Sequence, residues 1–175
     1  MKPVSKTCLW IVAAVLCIVG IALATPIVGL NFGNILATGI VNDDISQRAR
    51  VTLPPVAGKE QEDGNEWRAR LSTSGPSTFI VQDADYFPGG HTGWHSHPGL
   101  LLLTVTEGSL DWYNDQCQKT TYNVGDSFTE NTAVHYFQNV GSVNVRVMVS
   151  YVLAKGQPRR IDQPAPACAA ALGLN

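Results

Sequence analysis

The chain has 175 residues, 45% of them hydrophobic and 15% charged, which suits one ordinary core and falls short of two. Twelve basic residues against fourteen acidic leave a formal charge of −2 at pH 7, and no basic run stands out to invite nucleic acid. One domain outside the nucleic-acid-binding classes is the expectation.

The first segment is a separate physical object. Lys2 and Lys6 precede an uncharged apolar run from Cys8 to Ala24, and Ala22-Leu23-Ala24 fits the small-x-small pattern of a leader cleavage site. Ile27-Val28-Gly29-Leu30 prolongs the run, so residues 1–24 read either as a signal peptide or as an uncleaved membrane anchor. Leu16 is bulky where a small residue should precede Cys17, which argues against a lipoprotein signal. In both readings the lysines stay inside and the rest lies outside the cytoplasm, secreted or held at the membrane through this segment alone.

Residues 25–66 read as a linker with N-terminal edge strands. Asn42-Asp43-Asp44 looks solvated, Val51-Thr52-Leu53 can pair as a strand before Pro54-Pro55 stops it, and Gly58 to Glu66 is charged and suits an exposed loop. Residues 67–168 then carry strand after strand. Ser77 to Tyr86 alternates, Phe87-Pro88-Gly89-Gly90 turns the chain, and Leu100 to Val105 reads as a buried strand ending in a Glu107-Gly108 turn. Ser109 to Tyr113, Lys119 to Tyr122 and Asp126 to Thr129 are short strands between turns, which leaves Glu107 and Glu130 at turns as solvated carboxylates. The clearest period of two runs Val143, Val145, Val147, Val149, Tyr151, Leu153. No helical periodicity is evident after residue 30, so the class is all-β, a sandwich or a barrel closed as a jelly roll. Residues 169–175 form a C-terminal tail.

His95-Ser96-His97 is the chemically informative motif. Residues two apart on a strand share a face, so both imidazoles point the same way, and His135 from a neighbouring strand would complete a triangle around a metal ion. The competing reading is two rings hydrogen-bonded in a polar interior or facing solvent. Ser96 points to the opposite face and is a poor nucleophile. His91, beside two glycines, reads as a rim residue, and Trp94 and Trp112 as core or rim aromatics. By alternation Phe137 shares the face of His135 and can line a cavity. Outside the leader only Cys117 and Cys168 remain, and an even pair in an exported domain favours a disulfide, with two unpaired thiols as the alternative.

Gly89, His95-x-His97 and Gly108, followed by Gly125, His135 and Asn139, resemble the two paired motifs of the cupin superfamily. A wider likeness over roughly residues 70–168 includes the run Gly93 to Gly99, the Cys117 to Tyr122 segment and the tail from Arg160-Ile161-Asp162 to Cys168. It is similar to small exported single-barrel bacterial cupins. The resemblance implies a double-stranded β-helix, a jelly-roll barrel, holding a divalent metal (Fe, Mn, Zn, Ni or Cu) on His95, His97 and His135. The first motif ordinarily carries a glutamate where Leu101 stands here, and that subgroup often lacks it too, so a neutral three-histidine set is expected. Such a set leaves the metal more positive and favours anionic, oxygen-rich ligands. Two functions stay open: a metal-dependent oxygenase or isomerase acting on a small molecule, and a non-catalytic barrel that binds a small ligand or serves structure without metal. The expected partners are a small-molecule ligand or substrate and a second copy in a homodimer, with no nucleic acid.

Overall fold

The structure is a computed structural model that describes residues 24–52 and 66–174. The leader assigned to residues 1–24, save Ala24 itself, and the loop from residue 58 to 65 lie outside the described residues.

Among the described residues, twelve strands and one short helix follow in chain order. The strands are β1 (Val28–Val41), β2 (Ile45–Thr52), β3 (Glu66–Thr73), β4 (Ser77–His91), β5 (His95–Ser96), β6 (Gly99–Glu107), β7 (Ser109–Asn114), β8 (Lys119–Asn123), β9 (Ser127–Glu130), β10 (His135–Gln138), β11 (Val145–Ala154) and β12 (Ile161–Asp162). The helix, α1, covers Ala169–Leu172 and ends on Gly173 in the left-handed conformation. The expectation of an all-β fold holds, with this single turn as the exception.

Ten strands form one sheet, in the order β12-β5-β10-β4-β11-β6-β9, with β1 added beside β4 and the β7–β8 hairpin beside β10. The path curls back on itself: His97, just after β5, donates its backbone N–H at 3.3 Å to the carbonyl oxygen of Asn131, just after β9. The sheet is thus rolled into a nearly closed barrel, which leaves few open edges.

Alternation fills the interior. Val145, Val147, Val149, Tyr151 and Leu153 of β11 face in beside Leu101, Leu103 and Val105 of β6, while Leu100 and Leu102 face out. Val143 departs from the expected run: it is exposed, because β11 begins at Val145 after the Gly141–Asn144 turn. Gly108 has φ +69°, and a Cβ there would fall 2.4 Å from Asn144 O, so the tight crossing after β6 requires glycine.

A second, smaller core closes one end. Trp94 is fully buried against Tyr136, Ala169 and Leu174, and its indole N–H donates to Leu174 O at 2.8 Å. The C-terminal residues therefore pack as part of this wall. Cys117 and Cys168 are joined in a disulfide with a Cα–Cα distance of 6.1 Å, tying the segment before α1 to the β7–β8 turn.

The region expected to be a linker is more ordered than its composition suggests. β1 runs fourteen residues along β4, and β2 and β3 form a separate two-stranded sheet. Register places Arg48 opposite Arg70 and Arg50 opposite Arg68, so four arginines share one face of that ribbon. Glu66 pairs with two of them, Arg50 at 3.0 Å and Arg68. A local basic face thus exists within an acidic chain, hidden from a count of charges.

Candidate metal centre

Sheet register brings the three expected histidines together. His95 on β5 lies directly opposite His135 on β10, and His97 follows one side-chain repeat after His95. Their ring centroids are 4.3 Å (His95–His135), 4.8 Å (His95–His97) and 5.0 Å (His97–His135) apart. All three are buried, so the reading in which they face bulk solvent is excluded.

A fourth donor completes the group. Glu130, expected at a turn in solvent, is only 4% exposed, and its Oε2 lies 3.2 Å from both His97 Nε2 and His135 Nε2. The correction has a simple geometric cause. Strand β9 continues one residue beyond Thr129, and its alternation turns Phe128 and Glu130 inward while Ser127 and Thr129 face out. Across the sheet, Glu130 is the register partner of Leu101, the very position that lacks the expected glutamate. The carboxylate enters the same space from the adjacent strand. The four donor atoms lie within 4.8 Å of one another, so the neutral three-histidine set gives way to one carboxylate and three imidazoles.

Hydrogen bonds orient each ring. Nδ1 of His95 faces Gly93 O at 2.9 Å, that of His97 faces Arg159 O at 2.6 Å and that of His135 faces Ala133 O at 2.9 Å. A carbonyl only accepts, so every Nδ1 carries the hydrogen and every neutral Nε2 presents a lone pair. Gly93, whose carbonyl holds His95, has φ +68°, and a Cβ there would meet Thr25 O at 2.4 Å. The Asn131 side chain accepts the Ala133 N–H at 2.8 Å, shaping the loop that delivers His135.

Electrostatics favour a cation at the centre. Burial, together with the neighbouring His135 and Arg160, holds His95 well below its ordinary imidazole value, so it is neutral. Burial would raise Glu130, but the imidazoles of His135, His97 and His95 around it outweigh that effect and hold the carboxyl below its ordinary value. A proton shared between Glu130 and one histidine satisfies a single pair. His135 Nε2 is buried with no hydrogen-bond partner of acceptable geometry, so a lone pair is left facing the same space. Buried donors of this kind, with their hydrogens all on the outer side, fit a divalent ion with imidazole and carboxylate ligands.

Trp112 has a more specific place than a core or rim aromatic. Its indole N–H donates to Glu130 Oε1 at 3.0 Å and its ring stacks on His135 with centroids 6.0 Å apart. His91 stays outside the group, stacked on Tyr136 and accepting the Gly93 N–H on Nδ1. Ser96 is buried and accepts from the Gln163 side chain, and Asn139 ties Tyr86 O to Val143 O, so both serve the frame.

The group opens on a cavity of about 400 Å³. Phe137 lines it, as alternation predicts, with Leu101, Leu103, Val147 and Val149. Gln82, Tyr151, Arg159 and Arg160 add polar groups. Burial pushes the Tyr151 hydroxyl up to about 12, so it remains a donor, to Gln82 Oε1 at 2.6 Å.

Residues 83–151 match the family model described as Cupin domain. That stretch of the barrel is a cupin domain. No curated protein sequence matches this chain. Among solved structures, a conserved protein with a double-stranded β-helix domain from Klebsiella pneumoniae is 23% identical, with 49% of this chain and 75% of that chain covered and a TM-score of 0.43. A cupin-like protein from Thermotoga maritima is 22% identical over 50% of this chain and 65% of its own, with a TM-score of 0.43. An oxalate oxidase in complex with glycolate is 19% identical, covering 55% and 57%, with a TM-score of 0.41.

Proposed function

We propose that this cupin holds one divalent first-row metal ion through His95, His97, His135 and Glu130 and presents it to a small oxygen-rich molecule in the adjoining cavity. One observation carries the reading: three buried rings, each fixed at Nδ1 by a backbone carbonyl, aim Nε2 at one buried carboxylate. When bound, such an ion polarises a coordinated oxygen and provides open positions for a chelating ligand. The chain's own part is to orient the donors, to keep the site dry behind Leu101, Leu103 and Phe137, and to supply hydrogen bonds from the Gln82–Tyr151 side.

The same reading places the barrel outside the cytoplasm. The Cys117–Cys168 disulfide supports it, since such bonds persist in oxidising compartments, and the apolar leader would deliver it there. Turnover as an oxygenase or isomerase is the stronger form of the proposal, and a non-catalytic metal-bound ligand carrier the weaker.

Elemental analysis of protein purified without an affinity tag tests the metal. About one divalent ion per chain is expected, lost in H97A and H135A variants that retain the wild-type circular dichroism. Wild-type protein that takes up no ion on reconstitution with zinc, manganese or iron would overturn the proposal. Oxygen uptake with a panel of diketones, phenols and thiols then separates the enzyme from the carrier.

A further inference from the structure

The cavity has a cationic wall that the metal centre does not use. Arg160 lines it, and the Nε of Arg160 pairs with Asp162, yet its Nη2 is buried with no hydrogen-bond partner among the described residues. An unpaired buried guanidinium nitrogen is costly, because the group gives up hydration and gains nothing for it. Its neighbour fixes its place: Arg159 O is the carbonyl that holds His97 Nδ1, so the arginine pair borders the metal group directly.

The remaining polar groups are already committed. Arg159 Nη1 donates to Gln82 Oε1 at 2.8 Å, and the Tyr151 hydroxyl donates to the same oxygen. Arg160, whose Nη2 is left without a partner among the described residues, lines a space whose apolar walls include Leu101, Leu103, Val147 and Val149. A ligand that satisfies it must bring an acceptor, and a charged acceptor forms the stronger bond. The apolar walls call for a compact hydrocarbon body.

We infer that this cavity selects a small carboxylate with an apolar body, its carboxylate held by Arg160 and a second oxygen directed at the His95–His97–His135–Glu130 group. The inference rests on the metal reading only for that second oxygen. The carboxylate preference follows from Arg160, not from the charge of the ligand set, which Glu130 makes less positive than a three-histidine set.

Calorimetric titration with salicylate and salicylamide tests it, since the two probes share shape and differ in the charge of one group. Full-length protein, zinc-loaded and metal-free, is titrated as wild type, R160Q and R160K. Wild type is expected to prefer salicylate by about tenfold or more, the scale of one charge-assisted hydrogen bond. R160Q is expected to lose that preference while retaining its zinc, and R160K, which keeps charge without the planar fork, to retain part of it. Equal binding of the two probes by wild type, no binding of either to zinc-loaded protein, or an unchanged preference in R160Q would overturn the inference. A preference in metal-free wild type that R160Q abolishes, with no uptake of zinc, would sustain Arg160 while sinking the metal.

Discussion

Replacing Glu130 by leucine removes the one carboxylate of the four-donor group, and metal affinity is expected to fall at least 10- to 100-fold, the range that changes to residues supporting ligands already reach. Because Leu101 is its register partner, the double variant L101E/E130L returns a carboxylate from the adjacent strand and should recover metal content in elemental analysis. Recovery no better than E130L would show that the two positions do not share one space. W112F deletes the hydrogen bond to Glu130 Oε1 but keeps the aromatic face toward His135. Zinc affinity roughly tenfold weaker, with an unchanged thermal midpoint, is the expected result of competition with a chromophoric chelator. His95 and His97 were legible from spacing because strand alternation is a local rule, and His135 from the resemblance of the second motif. Glu130 was not, since its role depends on which strand lies beside β6; the one local clue was the inward step from Phe128 to position 130.

Strand pairing sets the pH response of the fold. On β4 and β11, Arg146 Nε donates to Asp83 Oδ1 at 2.8 Å, and this hydrogen bond, reinforced by the guanidinium charge, holds the Asp83 carboxyl below its ordinary value against the opposing effect of burial. A carboxyl whose folded value is depressed adds stability above its unfolded value, near 3.9, and loses it as pH falls through the folded value. D83N should therefore lower the urea midpoint at pH 7 and narrow the gap between midpoints at pH 7 and pH 3. An equal drop for both proteins across that interval would refute the assignment. Element boundaries were harder to read than element type. Val143 continues the apolar alternation in sequence yet sits outside β11, because pairing with Tyr86 begins only at Val145. Strand β1 was legible only as mixed polarity, since most of its side chains stay exposed and it is ordered by its ladder to β4.

Across the whole molecule, the Cys117–Cys168 bridge closes a loop with a sequence separation of 51 and secures the end wall built on Trp94. Exchanging both cysteines for serine is expected to cost about 2–4 kcal/mol in chemical denaturation, chiefly by freeing the unfolded chain. A double variant whose midpoint matches wild type under non-reducing conditions would remove the bridge from the account of stability. Composition speaks only to averages at this scale: a net charge of −2 conceals four arginines on one face of the β2–β3 ribbon. Like charges opposite one another disfavour pairing, and their presence there follows from the register and not from the total.

The sequence by itself determined the all-β class, the alternating interior and the shared face of His95 and His97, because the period of an extended strand acts over a few residues. Only the tertiary structure decided that Glu130 brings a carboxylate to the histidines, that Trp112 holds it and that Arg160, on the cavity wall, keeps a buried nitrogen without a partner. Each of those facts depends on which strands become neighbours when the sheet rolls up, and that adjacency joins residues far apart in the chain through contacts that local spacing does not encode.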